Sequence, residues 1–302
     1  MVFIDDALCD ASLCGNQPRV NSNNEVHMFW LPLLLLFWLM TVAFTYVLFY
    51  YESANGPHLE VLRSRGSVPI TILKGFLWSL YSQLLVLLTT ATALHRKYYR
   101  LPPDPPKKNP IIFVHGLYHN HTGWYLYLRW FRRWGWSHAK AINLRGKFRS
   151  IHEFARILAD EVEKVMAESQ SDQVDLVGHS MGGLVIRSYL TEDHARAKIR
   201  RVVTLGSPHG GSKLAVLGLG QAAKEMIPGS TFLQSLSQGV QMPQGGGFYS
   251  IYTLVDNMVL PNESTKLAWD GVKNLETRII DHVGLVFCKQ TARLVRECLE
   301  EN

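Results

Sequence analysis

The sequence is poor in cysteine, in basic clusters and in repeats. Only four cysteines occur among 302 residues: Cys9, Cys14, Cys288 and Cys298. Cys9 and Cys14 have no histidines at zinc-finger spacing. Cys288 and Cys298 stand ten apart on a predicted helix, too far for a bridge within it. This pattern argues against a disulfide framework and favours free thiols in a reducing compartment. The net charge of +6 is carried without a lysine- or arginine-rich run attached to a nucleic-acid motif. The basicity therefore points to a membrane surface, and no nucleic-acid partner is read. No internal repeat is visible, and no motif calls for a cofactor or a metal.

Charge is missing from two long stretches. Met28 to Tyr51 is 24 residues without a charged side chain, dominated by Leu, Phe, Trp and Tyr. About 20 apolar residues suffice for a helix to cross a bilayer. A secretory signal fits poorly, because the run is too long, the segment before it is acidic, and no small-x-small cleavage site follows. Gly75 to Leu94 is also uncharged, over 20 residues, but Ser79, Ser82, Gln83, Thr89, Thr90 and Thr92 dilute it. It reads as a second span, with a helix lying in the membrane interface as the alternative. One basic residue precedes the first stretch, three lie between the stretches, and five occupy 95–108. The excess after the second stretch places the remainder of the chain on the cytoplasmic side. The domain reading is then a flexible tail over 1–27, a membrane region over 28–100 with candidate spans 28–51 and 75–94, a linker over 101–110 and a catalytic domain over 111–302. The linker carries five prolines between Leu101 and Pro110, which end any helix and favour a stiff spacer.

Beyond the linker, strand and helix signals alternate. Ile111–Val114, Lys140–Leu144, Val174–Val177, Arg201–Leu205, Tyr249–Leu254 and Thr277–Ile280 read as strands. Trp124–Trp134 and the apolar-periodic segment after Ser150 read as helices. Ser150 with Glu153 forms a capping box at the start of the second. Such alternation implies an α/β fold, a mostly parallel sheet with helices on both faces.

Within this frame Gly178-His179-Ser180-Met181-Gly182 matches G-x-S-x-G between a predicted strand and a predicted helix. That context makes it a nucleophile elbow, a sharp turn that pushes the serine hydroxyl outward. A serine needs a base to take its proton and a third group to orient that base. Asp256 follows the Tyr249–Leu254 strand and is the candidate acid. Asp270 has no strand before it, and Asp281 directly precedes the candidate histidine and points badly for orienting it. His282, at the end of Thr277–Ile280, is the candidate base. His119 and His121 lie in the loop after the first strand, His194 in a charged connection, and His209 before Asp256. For the oxyanion hole, the backbone N–H of Met181 pairs with that of Leu117, with Tyr118 as the alternative second donor. His115 reads as a structural hydrogen bonder.

The pieces Val114-His115-Gly116-Leu117, Val177 to Gly183, Thr204 to Ser212, Asp256-Asn257-Met258-Val259 and His282-Val283-Gly284-Leu285 together resemble lipases and esterases of the α/β-hydrolase superfamily. They are similar to the bacterial triacylglycerol lipases and to lipase-like proteins related to GPI inositol-deacylases. The resemblance covers about residues 109–302. It implies Ser180, Asp256 and His282 as nucleophile, acid and base. The early strands of larger hydrolases are missing, and Lys213 to Gly247 is short enough for a small cap only. The expected activity is cleavage of lipid or other hydrophobic esters beside a bilayer. A thioesterase, amidase or acyltransferase would use the same residues, and a catalytically dead binding protein is the reading from another class. The aromatic and arginine-rich segment Trp124–Trp136 reads as a core helix with a basic face, or as an interfacial surface.

Overall fold

The computed structural model describes residues 22–94, 100–102, 106–146, 148–239 and 242–301. The tail through residue 21 (with Cys9 and Cys14) and Arg96, Lys97, Pro103 and Pro105 lie outside the described residues. The chain divides into two units, Met1–Thr41 and Val42–Asn302. The first unit contributes the opening part of α1, Ser22–Ala54, with Pro32 inside the helix and Leu34, Phe37 and Met40 exposed. The helix starts six residues before the uncharged stretch.

In the second unit the rest of α1 is followed by α2, His58–Ser64, and α3, Val68–Thr90. Pro69 stands in the first turn of α3, where its missing N–H has no helical partner to lose. These helices are apolar on the outside. On α3 the buried side is Thr71, Gly75, Ser79, Ser82 and Thr89, while Ile70, Leu73, Leu77, Tyr81, Leu84, Leu87 and Leu88 are exposed. On α1, Val42, Tyr46 and Phe49 turn inward while Phe44, Val47, Tyr50 and Tyr51 face out.

The sheet has six strands, all parallel: β1 Ile111–Val114, β2 Ala139–Ala141, β3 Val174–His179, β4 Ile199–Leu205, β5 Phe248–Tyr252 and β6 Val272–Glu276. They lie in the order β2-β1-β3-β4-β5-β6. Helices α4 Tyr125–Arg133, α5 Ile151–Ser169, α6 Met181–Tyr189, α7 Asp193–Lys198, α8 Gln221–Glu225, α9 Thr231–Ser237 and α10 Lys289–Glu300 complete the unit. Strand alternation sorts the core into two layers. Ile112, Val114 and Leu176 face Phe154, Leu158, Leu184 and Val185 of α5 and α6. Ile111, Phe113, Val177 and Val203 face Tyr127, Leu128 and Phe131 of α4 and Ala292 and Val295 of α10. The aromatic segment is core: Phe113 sits 4.9 Å from Trp124 and 5.4 Å from Phe131, centroid to centroid. The only charge in β3, Asp175, is fully buried and held by Nε and Nη2 of Arg200 at 2.9 and 2.5 Å.

The last strand differs from expectation. Residues 277–280 are not a strand; the edge strand is Val272–Glu276. An edge strand needs only backbone pairing and a half-buried face, so the polar string Val-Lys-Asn-Leu-Glu suffices where a hydrophobic run was sought. Thr277–Ile280 instead carries the chain back across the sheet end. The Thr277 N–H donates to the Tyr252 carbonyl, and the Ile280 carbonyl accepts from Thr253 Oγ1.

Helix α5 begins with the expected capping box. Glu153 N–H donates to Ser150 Oγ at 3.1 Å, and Ser150 N–H donates to Glu153 Oε2 at 2.8 Å. Losing a serine cap costs about 1 kcal/mol. For Ser150→Ala, a thermal melt of the detergent-solubilised chain is expected to drop by about 2–4 °C.

Candidate active site

The site forms where β3, β4 and β5 end. Ser180 follows β3 with φ 55° and ψ −126°, a conformation that costs a non-glycine residue about 1–3 kcal/mol. Two backbone bonds hold it there: Ser180 N–H to the Leu205 carbonyl at 2.9 Å, and Gly183 N–H to the Ser180 carbonyl at 3.0 Å. The turn also needs bare backbone at Gly182, where a Cβ would lie 2.3 Å from the Val114 carbonyl oxygen. Helix α6 can therefore press against β1 and leave the serine at its N-terminus.

Asp256 and His282 come together from two loops 26 residues apart in sequence. His282 Nδ1 lies 2.8 Å from Asp256 Oδ2, and both side chains are shut off from water. The other oxygen, Asp256 Oδ1, accepts the N–H groups of Met258 and Val259, each at 2.9 Å. With Nδ1 facing a carboxylate, Nδ1 carries the proton and Nε2 is left as the acceptor. Burial opposes charge on His282, but the Asp256 carboxylate and its hydrogen bond outweigh it. The imidazole titrates above its ordinary 6.5.

The pair and the serine share the same end of the sheet. A Cβ placed on Gly206, next to the carbonyl that holds Ser180, would lie 2.9 Å from Asp256 Oδ2 and 3.2 Å from His282 Nδ1. His179, one residue before the serine, donates Nε2–H to the His282 carbonyl at 3.1 Å, and the two rings stand 4.7 Å apart. On the opposite flank, a Cβ on Gly116 would come within 2.9 Å of Ser180 Cβ, so the loop carrying Leu117 runs against Ser180. A turn closed by His119 N–H on the Gly116 carbonyl, with Tyr118 at φ 57°, shapes that loop. Met181 supplies the first amide of α6, which has no partner one turn back.

The family model described as palmitoyl protein thioesterase matches residues 110–244. The GPI inositol-deacylase A of Yarrowia lipolytica is 29% identical over 140 residues, covering 42% of this chain and 13% of that protein. The GPI inositol-deacylase of Candida albicans is 28% identical over 139 residues, covering 44% of this chain and 30% of that one. The chain thus spans under a third of the length of these relatives. Among solved structures, the mature Bacillus licheniformis lipase BlEst2 superposes with a TM-score of 0.57 at 22% identity, covering 65% of this chain and 96% of the lipase. Aspergillus fumigatus lipase B gives 0.58 at 17%, covering 67% and 56%.

The chain has the α/β-hydrolase fold of these lipases. All five residues singled out in the sequence lie at one end of its sheet. The rejected candidates have other work. His115 Nε2 accepts from Leu144 N–H at 3.0 Å while Nδ1 donates to the Gly116 carbonyl at 2.8 Å, and burial holds its pKa down to about 4. It ties the loop after β1 to the segment after β2. His209 bonds Thr204 Oγ1 at 3.0 Å.

Sequence reasoning missed His179 and Asn257. Both act on the backbone of His282, His179 through its carbonyl and Asn257 Oδ1 through its N–H at 3.4 Å. Position offers one clue, since each is the immediate neighbour of a triad candidate. Burial drives the His179 pKa well down, so it stays neutral beside His282.

The electrostatics can be checked directly. In Asp256→Asn the charge and hydrogen bond that do most to raise the His282 pKa are gone, while the larger burial effect that lowers it outweighs the remaining pull of Asp281. The ring is then expected to titrate below 6.5 rather than above it. Histidine-selective NMR titration of the two proteins would reveal the reversal; an unmoved midpoint would contradict it.

Proposed function

We propose that this protein is a membrane-held serine hydrolase cleaving carboxylic esters of hydrophobic acids, with Ser180 as nucleophile, His282 as base and Asp256 as the acid that orients it. The observation that carries this reading is the buried 2.8 Å Asp256–His282 pair beside a serine held at positive φ. In the reaction Ser180 Oγ attacks the ester carbonyl carbon as His282 Nε2 takes its proton. The oxygen that becomes negative meets the N–H groups of Met181 and Leu117. The imidazolium returns the proton to the leaving alkoxide, the C–O bond breaks, and an acyl-enzyme remains. Water activated by His282 then releases the acid and restores Ser180.

A hydrophobic substrate is supported by the rim of the site. Tyr118, Val216, Leu217 and Leu219 are exposed, and the Tyr118 hydroxyl ties the two loops by donating to the Leu219 carbonyl at 2.7 Å. Membrane attachment is supported by the inverted helices. Small and polar residues of α3 pack inward while its leucines face out, the arrangement a helix takes when its outer face meets lipid rather than water. A thioester is the second substrate class, favoured by the match to the palmitoyl protein thioesterase model across the nucleophile segment.

A fluorophosphonate probe is expected to label the wild-type chain and not Ser180→Ala, with turnover of the variant down by about 10,000-fold or more. Absence of wild-type labelling would favour a binding protein on the same fold. Because the base must be neutral and its pKa is raised, the rate is expected to be full at alkaline pH. It is expected to be lost as pH falls, with a midpoint above 6.5. Paired esters and thioesters of rising chain length separate the two substrate classes.

A further inference from the structure

The loops that carry Asp256 and His282 are backed by the N-terminal helices. From α3, Ser82 Oγ donates to Asp281 Oδ2 at 2.8 Å, and both groups are fully shielded from water. Asp281 in turn organises the turn after His282: Oδ2 accepts Val283 N–H at 3.1 Å and Oδ1 accepts Gly284 N–H at 2.9 Å. The Trp78 ring closes over that turn, since a Cβ on Gly284 would sit 3.5 Å from it. From α1, Thr45 Oγ1 accepts Asn257 Nδ2–H at 2.8 Å and passes its own proton to the Val42 carbonyl at 2.7 Å. Asn257 Oδ1 is the acceptor for the His282 N–H. Between these two contacts Gly75 leaves room for Tyr46 and Val255, the residue before Asp256. Below them His58 of α2 donates Nε2–H to the Leu254 carbonyl at 2.8 Å. Leu254, Val255, Asn257, Asp281 and Gly284 are thus each met by a residue from outside the hydrolase-fold core.

We propose that Ser82 and Thr45 are positioning residues for the acid–base pair. Ser82 acts through Asp281 and Thr45 through Asn257, and together they make the N-terminal helices part of the catalytic unit rather than an anchor alone. The proposal rests on the role of His282 given above. An imidazole that must accept a proton from one neighbour and keep a hydrogen bond to another tolerates little rotation, and an error of about 1 Å can cost roughly 100-fold in rate. The two backbone groups of His282 are pinned by His179 and Asn257, and the turn beyond it by Asp281. Of these three clamps, two end on hydroxyls of α1 and α3. The Asp281 contact explains why α3 keeps Ser82 on its inner side. Burial raises the Asp281 pKa to about 6, so near neutral pH it is mainly an anion and the Ser82 bond is charge-assisted. The titratable groups facing the His282–Asp281 pair are Asp256 after β5, His179 at the end of β3 and Tyr46 of α1.

The test uses the full chain in detergent micelles. Ser82→Ala and Thr45→Val are compared with the hydroxyl-keeping Ser82→Thr and Thr45→Ser. Active sites are counted by fluorophosphonate labelling, and kcat, KM and the acid limb of the rate profile are measured per labelled site. Ser82→Ala and Thr45→Val are expected to lower kcat per site by about 10- to 100-fold with KM unchanged. Their acid limb is expected to move to lower pH, because a His282 loosened from Asp256 loses what raises its pKa. Thr45→Ser is expected to restore both readouts. A kcat per site within two-fold of wild type, with an unmoved acid limb, would overturn the proposal. So would a loss confined to the number of labelled sites. If the wild type itself fails to label at Ser180, the hydrolase reading fails first, and the NMR titration of His282 in the same variants decides the positioning claim. A His282 midpoint unmoved by Ser82→Ala and Thr45→Val would then refute it.

Discussion

The carboxylate of Asp256 has no contact with water, and a buried ion survives only where its surroundings replace what water supplied. Here two amides satisfy one oxygen and an imidazole satisfies the other. That requirement governs the geometry around it. The chain must turn immediately after Asp256 for Met258 and Val259 to aim their N–H groups back. The loop after β6 must also arrive with its histidine ring edge-on. The pair is strong only while both loops stay in register, because the same low-polarity setting that strengthens the bond makes a half-broken one costly.

The parallel sheet supplies most of that register. Its strands end together, so the loops after β1, β3, β4 and β5 open at one edge, where ligand sites of open α/β sheets form. The contribution of the helices α1 and α3 is less usual. Beside Val42 and Phe49, their inward faces include Thr45, Tyr46, Gly75, Ser79 and Ser82, which bring hydroxyls or bare backbone to the loops beneath. What these residues offer is close approach and hydroxyl groups aimed at carboxylate and amide partners. Desolvating such groups is unfavourable unless every one finds a partner. The inward faces of the helices are therefore committed to the loops beneath them.

How much of this was legible in the sequence follows from the range of each interaction. The elbow, the capping box at Ser150 and the run Ile111–Val114 are local features, written in residues a few positions apart, and the structure places them as expected. Ser180, Asp256 and His282 follow β3, β5 and β6, strands that succeed one another along the sheet, so their chain order is also their order along its edge. The edge strand Val272–Glu276 was not legible, since only Val272 and Leu275 of it pack on the core and its other residues are polar. The serines and threonines of the Gly75–Leu94 stretch were read as diluting a hydrophobic signal. One of them, Ser82, has its partner about 200 residues away in Asp281, as Thr45 of α1 has in Asn257. No periodicity within the helix can announce a partner at that distance.

The two faces of α3 impose opposite demands, and this links the setting of the site to its chemistry. The outward leucines present an apolar surface, while the inward hydroxyls need the loops of Asp256 and His282 in place. Lys213, at the start of the apolar loop that meets Tyr118, is paired with Glu52 of α1 at 2.6 Å, so the rim of the site is tied to the same helix. An exposed pair of this kind contributes little energy, but it fixes which side of the rim faces the helices. The loops of Asp256 and His282 and the rim are therefore referenced to one scaffold whose other face is apolar. A displacement of α1 and α3 would move the supports of Asp256 and His282 together with the rim over which a hydrophobic substrate would enter.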